Sequence, residues 1–388
     1  MQVAVRLKKC SLKAKVMENN NIYLTETEVY QLADSVVNSI CSDLNNTIYK
    51  KLGGKLSIVW NTEERFNASA QILNKASDPP NHRITLYYFL VKELNRDTVN
   101  YHEFAENIHY QPSILAFLNS ISEMPMLPEI FIKKDSINNM FMASLTFVLF
   151  HELGHLMQQH GRIRASLSGQ SIDDSIINEC NAIDSIPLMG KQAAISHTTE
   201  LSADSSAITR CIFEIMRQFS SEELIGNGDK GTLFLATAQL FVIGVSNLFY
   251  RFRGINSEKL EATPSGTHPQ PLTRLEINLP HIYEMLSFPI IKEIMEHKLD
   301  RKGIVELVSR AAYSVPFFWI VRSENRPDNL PENYLFKGVL QSEDLKQYMD
   351  CIIRTWDEIE PMIDSLNLDK MPFTKLSFTD ELRMAVKT

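Results

Sequence analysis

The chain has few cysteines and no C-x-x-C pair: Cys10, Cys41, Cys180, Cys211 and Cys351 are odd in number and scattered. This excludes a disulfide framework and a thiolate zinc site, and points to reduced thiols in a cytosol-like compartment. Long basic runs are also missing, and the net charge is −8, which argues against nucleic acid as the main partner. The sequence has no phosphate-binding P-loop, G-x-S-x-G elbow, coiled-coil heptads, internal repeat or low-complexity run. Residues 1–16 carry Arg6, Lys8, Lys9, Lys13 and Lys15 with no apolar stretch behind them, so they do not read as a secretory signal. What is present is 388 residues at 44% hydrophobic, enough for a sizeable core and two or three subregions.

One motif carries chemistry. His151-Glu152-Leu153-Gly154-His155 lies within the apolar run Leu145-Thr146-Phe147-Val148-Leu149-Phe150 and Leu156-Met157, which reads as a helix. Two histidines four apart share a helical face, so both imidazoles reach one Zn²⁺, and Glu152 is placed to take a proton from a water held there. Zinc needs a third protein ligand and an open fourth position. Downstream, Glu200-Leu201-Ser202-Ala203-Asp204 sets two carboxylates four apart on one helical face. Glu200 completes the ligand set and Asp204 accepts from a ligating imidazole N–H.

A third segment, Thr267-His268-Pro269-Gln270-Pro271-Leu272-Thr273-Arg274-Leu275, follows. H-E-x-x-H, then E-x-x-A-D, then T-H-P-x-x-x-x-R-L in that order resembles the gluzincin metallopeptidases, and most nearly the group of CAAX prenyl proteases and HtpX heat-shock proteases. A soluble peptidase of the phage-exclusion, Lit-like type also suits the size. The resemblance covers about residues 136 to 280. It implies that His268 supports the oxyanion of the tetrahedral intermediate and that Arg274 braces the site. It also implies a zincin-like α+β fold, with a small sheet beside the H-E-x-x-H helix. A metzincin is disfavoured: that pattern wants Gly at 158 and His at 161, where this chain has Gln158 and Gly161.

Other readings of the same residues stay open. His268 could be an ordinary loop histidine in a proline-rich turn, and Arg274 a structural ion-pair partner. His160 reads as a helix-end histidine meeting the C-terminal dipole, and His197 as a weak alternative ligand. The stretch from Thr232 to Tyr250 has no charge and is long enough to span a bilayer. Its Thr232, Thr237, Gln239, Ser246 and Asn247 favour a buried helix beneath the site over a membrane anchor.

The remaining organisation follows from local signals. A helix is expected over 26–50, opened by Thr25 or Thr27 and stopped by Gly53-Gly54, with Lys55–Trp60 as a strand. Arg83–Tyr88 is a second strand and the expected sheet edge for pairing an extended substrate. Asp135 or Ser136 should cap a helix running to about His160 and ending at Gly161. The polar stretch 165–180 is a loop, either a lid over the cleft or an idle surface segment. The expected division is an α/β part (1–110) supplying the sheet, a metallopeptidase core (111–285) and a helical C-terminal region (286–388), broken at Ser323 to Pro331. The sequence thus reads as a cytoplasmic zinc endopeptidase acting on protein or peptide. The rivals are a catalytically idle zinc-containing binding module and a membrane-anchored processing peptidase.

Overall fold

A computed structural model describes residues 23–75, 77–168, 176–178, 188–220, 229–253, 262–322 and 342–387. The expectations placed on residues 1–16, on 169–175 and 179–180 of the 165–180 loop, and on the break at 323–331 fall outside these residues; the described parts of that stretch are not loop, since 165–168 end a helix and 176–178 form a strand paired into the sheet. The rest is mainly helical with one small mixed sheet.

The first helix, α1 (Glu26–Leu44), begins at a capping box. The Thr25 hydroxyl accepts from the Glu28 amide at 3.3 Å, and the Glu28 carboxylate accepts from the Thr25 amide at 2.7 Å. Val29, Ala33, Val36, Val37, Ile40 and Leu44 form its buried stripe. The helical path continues through a π turn, Asn45–Tyr49, and stops at Gly53, whose φ of 67° favours glycine.

Strands β1 (Lys55–Asn61), β2 (Ala68–Ile72), β3 (Asn81–Tyr87) and β4 (Ile176–Asn178) form a sheet in the order β1-β3-β2-β4. β3 pairs parallel with β1 and antiparallel with β2, and β4 pairs antiparallel with β2. The expectation that Arg83–Tyr88 forms the sheet edge is therefore wrong. β3 lies in the interior, hydrogen-bonded on both sides, and Tyr88 already opens α2 (Tyr88–Glu106). A half-polar strand read by itself gives no signal for the second neighbour.

After α3 (Pro112–Ile121) comes α4 (Lys133–Met157), the central helix. Its buried residues, Met140, Phe141, Ser144, Leu145, Phe147, Val148 and Leu149 among them, occur all round, as a core helix requires. α2 and the sheet lie against it, as do α6 (Gly190–Ser220) and α7 (Lys230–Arg253). Against α7 the contact is backbone to backbone: a Cβ on Gly244 would lie 2.5 Å from Met140 O, and Ser144 Oγ donates to Gly244 O at 2.9 Å.

The start and end of α4 differ from expectation. It opens after Ile132, with no side-chain cap from Asp135 or Ser136. It ends at Met157, because Gln159 takes a left-handed φ of 56° and the chain restarts as α5 (His160–Ser168), with Gly161 inside that helix.

Helices α4, α7 and α10 (Arg301–Arg322) are long and apolar enough to cross a membrane by length and composition. Within this structure 83%, 78% and 67% of their apolar windows are buried. The 232–250 stretch is thus mostly covered by protein, with α4, α8 (Pro271–Leu286) and α10 against it. A short helix α9 (Pro289–Ile294) links α8 to α10.

The C-terminal α11 (Glu343–Leu366) is capped by Ser342. It packs Tyr348, Ile352, Trp356 and Ile359 with Ile163 of α5 and Ile195 and Leu201 of α6, forming a second core. The last helix, α12 (Asp380–Val386), adds Val386 to it.

Candidate metal centre

Two helices build the centre. α4 presents His151, Glu152 and His155, and α6 presents Glu200 and Asp204; all five are at most 1% exposed. The helices meet closely at Gly154, where a Cβ would lie 3.1 Å from Ala203 Cα and 3.2 Å from Ala203 O.

His151, His155 and Glu200 form a buried group that could hold a metal ion. His151 Nε2 and His155 Nε2 are 3.0 Å apart. Glu200 Oε2 is 3.2 Å from His151 Nε2, and Glu200 Oε1 is 3.4 Å from His155 Nε2. Ligand atoms about 2.0–2.1 Å from a tetrahedral ion are about 3.3 Å from one another. The His151 Nε2–His155 Nε2 and His151 Nε2–Glu200 Oε2 separations are close to that figure, and the two-imidazole, one-carboxylate donor set is chemically suited to a first-row divalent ion.

The surrounding groups fix the ligands. His151 Nδ1 lies 2.8 Å from Asp204 Oδ1, and a carboxylate at that distance favours the tautomer with the proton on Nδ1 and Nε2 bare toward the centre. Asp204 is held in turn by both arms of Arg274, at 2.6 and 2.9 Å, and by the Asn278 amide at 3.1 Å. The Arg274 guanidinium rests over the Phe249 ring, 5.0 Å from its centroid. Arg274 therefore reaches the centre through Asp204, and Asn278 follows one helical turn later on the same face of α8.

His268 is brought to the same place from the loop before α8. Its Nε2 is 3.8 Å from Glu200 Oε2, buried, and without a hydrogen-bond partner among the described residues, while Nδ1 lies 2.8 Å from Thr267 Oγ1. The loop is tied to α6: Ser196 Oγ donates to Thr267 O at 2.6 Å. His197 Nε2 meets Ser265 O at 3.1 Å and its Nδ1 meets Tyr348 Oη at 3.0 Å. Both His197 nitrogens are thus used in holding the loop and α11, and His197 is not in the metal-binding group.

Protonation follows from burial. Burial pushes His155 down to about 4, so its ring is neutral and able to bind a metal near neutral pH. Burial works against ionising Glu200, yet the imidazoles of His155, His268 and His151 around it hold its carboxyl well below the usual range. Arg164 of α5 adds a charged partner, donating to Glu200 Oε1 at 2.6 Å and to Thr199 Oγ1 at 2.7 Å.

Arg164 was not legible in the sequence, since nothing in α5 marks it as facing α6. His160 was missed for a different reason: it is not the helix-end residue expected. It begins α5, and its Nδ1 lies 2.9 Å from His155 Nδ1.

No protein-family model matches this chain, and no curated protein or solved structure does either.

Proposed function

We propose that the protein is a zinc-dependent endopeptidase of gluzincin type, with His151, His155 and Glu200 as the metal ligands and Glu152 as the general base. The observation that carries this reading is the buried ligand group, with its His151 separations close to those about a tetrahedral ion, and two of its members on the same helix as Glu152. Zinc suits the donor set, and when bound it supplies Lewis acidity, polarising the scissile carbonyl and lowering the pKa of water toward neutrality. Glu152 then takes the proton of the attacking water and passes it to the leaving amine. His268, with Nε2 buried and directed at the ligand group, donates to the developing oxyanion. Asp204 keeps His151 in its ligating tautomer, and Arg274 and Asn278 hold Asp204.

The substrate class we propose is protein or peptide. The compartment proposed is cytosol-like, in keeping with the free thiols of Cys41, Cys211 and Cys351. One observation favours a membrane-associated form of the same peptidase, namely the three long apolar helices, of which α7 has the highest mean hydropathy, 1.7.

Proteome-wide terminal sequencing after expression of the chain and of Glu152→Gln tests the reading. New protein termini should arise with the parent and vanish with the variant, which keeps its size but cannot accept the proton. Identical termini from both, with the biological task intact in the variant, would leave a binding module.

A further inference from the structure

Gln159 reverses the chain between α4 and α5, and this turn places His160 back against the ligand helix. His160 is fully buried, and its two nitrogens face His155 Nδ1 at 2.9 Å and Gln158 Oε1 at 3.2 Å. The hydrogen positions along this run are fixed from its far end. Thr374 O and Ser202 O can only accept, so Gln158 turns its NH₂ toward them, at 3.1 and 3.4 Å. Its Oε1 then accepts from Ser202 Oγ at 2.6 Å and from His160 Nε2. An imidazole with its one proton on Nε2 has a bare Nδ1, so His155 must donate to it through Nδ1. That leaves His155 Nε2 bare, facing His151 Nε2 and Glu200.

We propose that His160 and Gln158 are positioning residues, which hold His155 in the tautomer and ring orientation that metal binding needs, with the backbone carbonyl of Thr374 as their anchor. The proposal rests on the metal centre proposed above. It gives the C-terminal segment a task at that centre. Leu368 N donates to Met157 O at 2.9 Å, and Phe373 O and Lys375 O accept from Thr209 and Ser205 of α6 at 2.6 and 3.3 Å. The segment around Thr374 is thereby fastened to the end of α4 and along α6, and the relay runs from this fixed backbone to the ligand. His151 faces a carboxylate directly, whereas His155 is reached by a neutral chain through His160 and Gln158 that ends in protein backbone.

Long-range ¹H–¹⁵N spectra of the full-length, histidine-labelled protein with added zinc read the tautomers directly. His160 protonated at Nε2 and His155 at Nδ1 are expected; His160 protonated at Nδ1 overturns the relay. Competition with a chromophoric chelator measures zinc affinity. His160→Leu should weaken zinc binding about 10- to 100-fold and alter the visible bands of the cobalt-substituted protein. His160→Asn, whose Oδ1 takes the place of Nδ1 as acceptor, should restore both. Unchanged affinity and cobalt bands in folded His160→Leu overturn the proposal; if that variant does not fold, His160→Asn and the tautomer spectra decide. A parent protein that takes up no zinc defeats the metal reading instead, and the tautomers of the metal-free protein then test the relay separately.

Discussion

Gly154→Ala places a methyl group at the contact between the two ligand-bearing helices. Its Cβ would stand 3.1 Å from Ala203 Cα, 3.2 Å from Ala203 O and 3.2 Å from Ser206 Cβ. Carbon–carbon contacts settle at about 3.5–4.0 Å, so α4 and α6 must part by roughly 0.3 Å or more. Two of the three contacted atoms are backbone, which leaves no side-chain rotation to relieve them. Overpacking of this kind costs about 1–3 kcal/mol, offset by about 1 kcal/mol from replacing glycine in a helix. The metal-free variant should therefore unfold near the parent or up to about 2 kcal/mol below it. Zinc responds more strongly: His151 and His155 stand on one helix and Glu200 on the other, and metal sites hold their distances to about 0.2 Å. An affinity loss of about 10-fold or more is expected, measured by chelator competition beside thermal unfolding without metal. A variant that melts above the parent and binds zinc equally well would refute the claim that this close approach sets the ligand geometry.

Asp204→Asn removes the carboxylate that Arg274 grips at 2.6 and 2.9 Å and that lies 2.8 Å from His151 Nδ1, so the guanidinium loses its paired charge there. Unfolding measurements should show a loss of about 3–5 kcal/mol, and zinc affinity should fall about 10- to 100-fold; retention of both would refute the bracing role of Arg274. The dependence of stability on pH should have two limbs. Burial pushes His82 and His281 from 6.5 to about 4, so their neutral rings favour the fold fully above 6.5, and about 3 kcal/mol each is lost as pH falls from there through about 4. Burial lifts Glu276 from 4.5 to about 8, so its contribution is present below 4.5 and lost as pH rises through about 8. Urea midpoints should then show Glu276→Gln gaining on the parent at about pH 8 and much less at about pH 5, and equal gains would refute it.

The residues of the candidate metal centre were legible because a helix converts spacing four into a shared face, and His151, His155, Glu200 and the neighbouring Asp204 all sit on helices. Thr25 and Gly53 were legible because capping is local chemistry. Features decided by long-range packing were not. The second neighbour of β3 comes from residues 68–72, folded back antiparallel, and nothing within 83–88 announces it. The end of α4 was placed at Gly161 because glycine is the usual left-handed terminator, yet Gln159 takes that conformation. Buried, and with its amide donating to Leu156 O at 2.6 Å, Gln159 is held there by its surroundings. That one displaced turn concealed His160. The C-terminal region showed no chemistry in sequence because its contribution to the centre is largely backbone: Thr374 O and Leu368 N act whatever their side chains.

Metal analysis of the purified protein, with each ligand changed in turn, tests the central claim most directly. About one equivalent of zinc per chain is expected, with most of it lost in each of His151→Ala, His155→Ala and Glu200→Ala, while Glu152→Gln keeps it. Full zinc content in all three ligand variants, or none in the parent after zinc is supplied, would contradict the account.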